Sequence, residues 1–89
     1  MTETLNIALA QLNPTVGDID GNVVLIAEAR ARARGLGGDL MVTSELSVSG
    51  YPPEDLVLKP AFLDIIEARV GDLARQTNDG GPALLIGAP

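Results

Sequence analysis

The chain has 89 residues, of which 46% are apolar and none is cysteine or histidine, and twelve acidic side chains against six basic ones give a net charge of -6. That length allows at most one small domain, which buries only about 60 to 65% of the surface its unfolded form exposes. The missing cysteine and histidine exclude disulfides, thiolate or imidazole metal sites and cysteine- or histidine-based nucleophilic couples within these residues, and the acidic balance argues against nucleic acid or an anionic membrane as partner. A small molecule or a protein is the expected partner. From the amino end, Leu5 to Leu12 is an apolar-rich run closed by Asn13-Pro14, and its length suits a buried strand. Turn-forming residues follow from Val16 to Gly21, after which Ile19, Val23, Ile26, Ala29 and Ala33 recur at helical spacing. Asp20 is the expected N-cap of this helix, which should end near Arg34 with Gly35 in the left-handed cap position. Arg30, Arg32 and Arg34 fall in its last turns, where cations complement the helix dipole.

Asp39 to Thr43 reads as a second strand, and Ser44 to Pro60 as a connection long enough to suggest a functional loop. Phe62, Ile65, Ile66, Val70, Leu73 and Ala74 trace a second helical stripe, interrupted by Gly71 at a cost of about 1 kcal/mol. Asn78 to Pro82 closes that helix, and Ala83 to Gly87 reads as a third strand. The core must be aliphatic, because Tyr51 and Phe62 are the only aromatic residues. Strands alternating with helices imply an α/β fold with parallel pairing and right-handed crossovers. Three strands and two helices hardly enclose such a sheet, so the chain is expected to be part of a larger domain. The amino end carries no basic segment followed by an apolar core, and no apolar run approaches the roughly 18 residues a membrane span needs, which predicts a soluble, cytoplasmic protein.

In open parallel sheets ligands gather at the carboxyl ends of the strands, which singles out Glu45, directly after the second strand. A carboxylate between Val42 and Leu46 is expected to be partly desolvated and so suited to accept a proton, the alternative being a solvated or salt-bridged surface group. Tyr51, between Gly50 and Pro52, is a candidate for substrate binding or for packing beneath the loop, and Glu54 and Asp55 for bracing it. Lys59 reads as a solvated charge before the second helix. Gly35 to Asp39 looks superficially like a phosphate loop, but it follows a helix and precedes a strand, so a cap and turn is expected. Asp18 and Asp20 form a conceivable metal pair, although acidic residues at a helix start already gain from capping and the dipole.

The segments IALAQLNPTVGDIDGN near the start and SELSVSGYPPEDL after the second strand together resemble the opening of nitrilase-superfamily (carbon-nitrogen hydrolase) glutaminase domains, and GYPPEDL resembles most the glutamine-dependent NAD synthetases. The resemblance extends through LKPAFL to DGGPALLIGAP, nearly the whole chain. It implies the strand-helix-strand-helix-strand start of an α/β/β/α sandwich, with residues 1–89 as the amino-terminal part of the glutaminase domain. It also implies a glutamate, lysine and cysteine triad acting on the side-chain amide of glutamine, in which Glu45 is the general base and proton shuttle. The cysteine and the lysine are not in this chain, since Lys59 lies too soon after Glu45, and Ser44 stands where the family usually has proline. The resemblance further implies a synthetase domain, absent here, that uses ATP and Mg2+ to amidate deamido-NAD with the released ammonia, and a homo-oligomer for the complete protein. No cofactor or metal is expected within these residues, and the chain alone is expected to be inactive. A stand-alone amidase, a non-catalytic α/β module and an interaction remnant that pairs through an exposed sheet edge are the alternatives.

Overall fold

The computed structural model describes residues 3–89. Its elements run β1 (Ile7–Ala10), α1 (Ile19–Gly35), β2 (Leu40–Thr43), a short 3-10 helix (Glu54–Leu58), α2 (Pro60–Gln76) and β3 (Ala83–Leu85). The three strands form one parallel sheet in the order β1-β2-β3, with Ile7 opposite Leu40, Leu40 opposite Ala83 and Val42 opposite Leu85. The expected α/β pattern and the parallel pairing are therefore present.

Alternation along the strands decides which face is covered. Ala8 and Ala10 of β1, Met41 of β2 and Leu84 of β3 pack into one aliphatic core with Ile19, Ile26 and Ala33 of α1 and Ile66 and Leu73 of α2. Both helices thus lie on one side of the sheet. Phe62 and Val70 are half-buried beside this core, whereas Ile65 and Ala74, the other two members of the expected α2 stripe, are exposed. The opposite face carries Ile7, Leu9 and Leu85 at 53%, 75% and 59% exposure, with the half-buried Leu40 and Val42 between them. Parallel sheets normally have both faces covered, so this fold is a covered half of an α/β architecture. No helix among the described residues is long and apolar enough to cross a membrane.

The ends of α1 differ from expectation. Asp18 is the N-cap, its Oδ1 accepting the Gly21 amide at 3.1 Å, while Asp20 sits inside the first turn and pairs with Arg69 of α2 at 2.6 Å. The two aspartates are separated by one residue and both suit a helix start; the cross-helix partner settles their roles. At the other end the helix continues through Gly35, Leu36 caps it, and Gly37 takes the left-handed conformation with φ 80°. The Gly38 amide then donates to the Ala33 carbonyl at 2.8 Å, which turns the chain into β2.

Arg30 is not a solvated dipole partner. It is 7% exposed on the inner face of α1, its Nε donates to the Pro82 carbonyl at 2.9 Å, and its two terminal nitrogens grip Asp79 at 3.0 and 2.6 Å. Arg34 reaches the same carboxylate at 3.2 Å, and Asp79 also accepts the Gly81 amide at 2.9 Å. These bonds hold the Asp79 carboxyl well below the usual carboxylate range, Arg30 first and the Gly81 amide next, and raise the already high Arg30 value further. The turn between α2 and β3 is thereby fastened to α1.

Candidate active site

The carboxyl ends of the strands converge on the turn Glu45–Ser49. The chain leaves β2 at Thr43, Leu46 adopts a left-handed conformation with φ 53°, and the following residues fold inward, with Ser47, Val48, Ser49 and Gly50 all buried. Val48 fills the core, and the small polar side chains beside it satisfy themselves locally. Ser47 Oγ pairs with Thr43 Oγ1 at 2.7 Å, and Ser49 Oγ donates to the Gly50 carbonyl at 3.0 Å. Gly50 has φ 79°, and a Cβ there would fall 2.6 Å from Val16 Cα, so only glycine lets the two loops meet.

Asn22 joins those loops. Only 2% exposed, it accepts the Thr15 amide at 2.8 Å through Oδ1 and donates through Nδ2 to the Thr15 and Val48 carbonyls at 2.8 and 2.9 Å. The Gly17 amide adds a bond to the Ser49 carbonyl at 2.9 Å. The β1-α1 and β2-α2 connections are thus one latched unit at the carboxyl end of the sheet. Asn22 escaped the sequence reading, yet it lies three residues after Ile19 and four before Ile26, on the buried stripe, where a polar residue signals an internal partner. Arg30, four after Ile26 and three before Ala33, carried the same signal.

Glu45 stands where expected, at the exit of the central strand, but it is exposed rather than partly desolvated. The cause is the direction of the turn: Val48 occupies the buried position, and Glu45 opens the turn on its solvent side. Tyr51 is 64% exposed beyond the turn, with its ring outside the core, and so does not pack beneath the loop. Lys59 is exposed at the N-cap of α2 and forms no ion pair with Glu45 among the described residues. It lines a shallow depression with Val16, Pro53, Glu54, Asp55 and Leu56, while a second groove runs along the free edge of β1 past Arg32 and Leu36. Neither concavity includes Glu45. Among the described residues no three histidine, cysteine, aspartate or glutamate side chains gather as a metal site, and Asp18 and Asp20 are occupied by the cap and by Arg69. The glycines from Gly35 to Gly38 form the helix stop described above.

What the geometry offers chemically is one carboxylate on a tightly held turn at the mouth of a parallel sheet. Comparison with family models finds no match. Comparison with known proteins finds the glutamine-dependent NAD(+) synthetase of Rhodobacter capsulatus, 47% identical over 89 residues, covering 100% of this chain and 16% of that protein. The protein of the same name from Synechocystis sp. is 47% identical over 70 residues, covering 79% of the chain and 12% of the relative, and that from Thermotoga maritima is 43% identical over 83 residues, covering 93% and 14%. The chain therefore spans about a sixth or less of the length of these curated relatives.

Proposed function

Because the chain is homologous over its whole length to a stretch of the glutamine-dependent NAD(+) synthetases, we propose that it is the opening part of a nitrilase-type glutaminase domain in such an enzyme. In the complete protein, glutamine is hydrolysed and its ammonia passes to an ATP- and Mg2+-dependent amidation of deamido-NAD. Glu45 is the general base: it takes the proton of a cysteine thiol as the sulfur attacks the side-chain amide carbonyl, then hands that proton to the departing ammonia. The cysteine, and the lysine that stabilises the oxyanion, come from outside these residues, which contain no cysteine. The carrying observation is the placement of Glu45 at the carboxyl end of the central strand, on a turn latched to both neighbouring connections.

The bare sheet face supports the α/β/β/α sandwich within this reading. Ile7, Leu9, Val42 and Leu85 present an aliphatic surface of the kind that packs about 10 Å from a second sheet. A wall added on that side also brings groups toward the strand exits, where the exposed Glu45 waits for neighbours. The same face favours the second reading, a non-catalytic module that associates through its sheet.

An assay for ammonia release from glutamine, on the product of the whole reading frame that carries this sequence, separates the readings. Glutamine hydrolysis that falls by about 100-fold or more in Glu45→Gln supports the glutaminase. Full hydrolysis in Glu45→Gln, or a reading frame with no cysteine downstream, overturns it. The 89-residue chain alone should release no ammonia above a buffer blank.

A further inference from the structure

We propose that Gly87, together with the hydroxyl pair of Thr43 and Ser47, positions Glu45. The inference rests on the general-base reading of that residue.

After β3 the chain crosses the turn that carries Glu45 so closely that a Cβ on Gly87 would lie 2.8 Å from the Ser44 carbonyl oxygen and 3.0 Å from the Glu45 carbonyl carbon, and would overlap the Leu46 amide nitrogen. Gly87 therefore packs on the peptide groups on both sides of Glu45, at a distance no other residue permits. Its own backbone is bonded in both directions. The Gly87 carbonyl accepts the Val48 amide at 3.2 Å, and its amide donates to Thr43 Oγ1 at 3.4 Å. Thr43 Oγ1 in turn pairs with Ser47 Oγ at 2.7 Å, and Ser47 is 1% exposed. The five residues Thr43 to Ser47 are thus closed into a loop by two hydroxyls at their ends and pressed from the outside by Gly87.

This clamp has a conformational task. Leu46 sits at φ 53°, a region that a branched side chain adopts only when its surroundings impose it. Releasing it rotates the peptide that follows Glu45 and swings the carboxylate. A general base is sensitive to such a swing, since misplacement by about 1 Å lowers a rate by up to about 100-fold. Gly87 and the two hydroxyls touch no reacting atom; they act through the backbone of Glu45.

The test uses the complete polypeptide and glutamine as substrate. Thr43→Val keeps the side-chain shape and removes the hydroxyl, and Ser47→Ala removes its partner. Each should lower kcat by about 10-fold or more with KM changed less than about twofold, and Thr43→Ser should restore kcat. Gly87→Ala should lose more activity, and because it risks misfolding, Thr43→Val carries the decision. Wild-type kcat in both Thr43→Val and Ser47→Ala, or a change confined to KM, overturns the clamp while leaving Glu45 as the base if Glu45→Gln remains inactive. Hydrolysis retained in Glu45→Gln removes the general-base reading itself, and the clamp with it.

Discussion

Asn22 fixes two backbone loops with one amide, a task that neither a hydrophobic nor an acidic residue performs. Truncating it to alanine strands the buried Val48 carbonyl and removes the side-chain partner of the partly buried Thr15 amide. Asn22→Ala should therefore lose about 2–3 kcal/mol in urea denaturation, and Asn22→Asp should not restore the loss, because an ionised carboxylate donates no hydrogen bond. A loss below about 0.5 kcal/mol would mean that the latch contributes little. At this scale the chain order revealed where Glu45 stands, since a residue directly after a strand is placed by the strand itself. It did not reveal that Glu45 is exposed, because burial there depends on how the next four residues turn and on Val48 taking the inner position. Asn22 and Arg30 were legible in principle as polar interruptions of an apolar stripe.

Among the elements, both helices and all three strands follow from periodicity and punctuation, and their ends shift by a few residues at most. The errors at α1 have a common origin. Asp18 and Asp20 are interchangeable as caps on local grounds, and Gly35 and Gly37 as left-handed stops; a cross-helix contact decides the first, where Arg69 claims Asp20, and the closing turn decides the second, where the Gly38 amide bonds back to Ala33. The join between α2 and β3 depends on the Asp79 carboxylate, whose folded value is depressed by Arg30 and the Gly81 amide. A depressed carboxylate contributes stability that is fully present above its unfolded value, near 3.9, and is lost as pH falls below it toward the folded value. The Tm difference between the wild-type chain and Asp79→Asn should accordingly be largest above about pH 5 and shrink steadily below about pH 4. A difference that is constant across that window would show that the carboxylate's charge does not fasten the turn.

The whole molecule is a sheet with one dressed and one bare side. Its radius of gyration, 13.7 Å, exceeds the roughly 12 Å expected for a globule of this length, because the molecule is elongated, 51 Å along one axis against 22 and 19 Å across. The exposed aliphatic face should bind a hydrophobic dye and favour association despite the net charge of -6. Replacing Leu9, 75% exposed, and Leu85, 59% exposed, by lysine should suppress dye binding and change the stability of the chain by no more than about 0.5 kcal/mol per site. Unchanged dye fluorescence would place the dye elsewhere. That so few elements would leave the sheet incompletely covered was legible from the count of strands and helices alone. Which face stays open was not, because Ile7 to Ala10 is apolar at every position, and only the helix side distinguishes Ala8 and Ala10 from Ile7 and Leu9.

The strand register also sets a timetable. Ile7 meets Leu40, and Leu40 meets Ala83, so each rung of the sheet joins residues 33 or 43 positions apart and none joins close neighbours. During synthesis β1 must wait, unpaired, until α1 and β2 have left the ribosome, and β2 must wait again for β3. α1 is synthesised before β2 and so precedes the first rung, whereas α2 follows β2 and precedes only the second. Glu45 emerges midway through this sequence, yet the turn that holds it is finished only when Gly87 arrives, so the candidate base is among the last features of the segment to take its final shape.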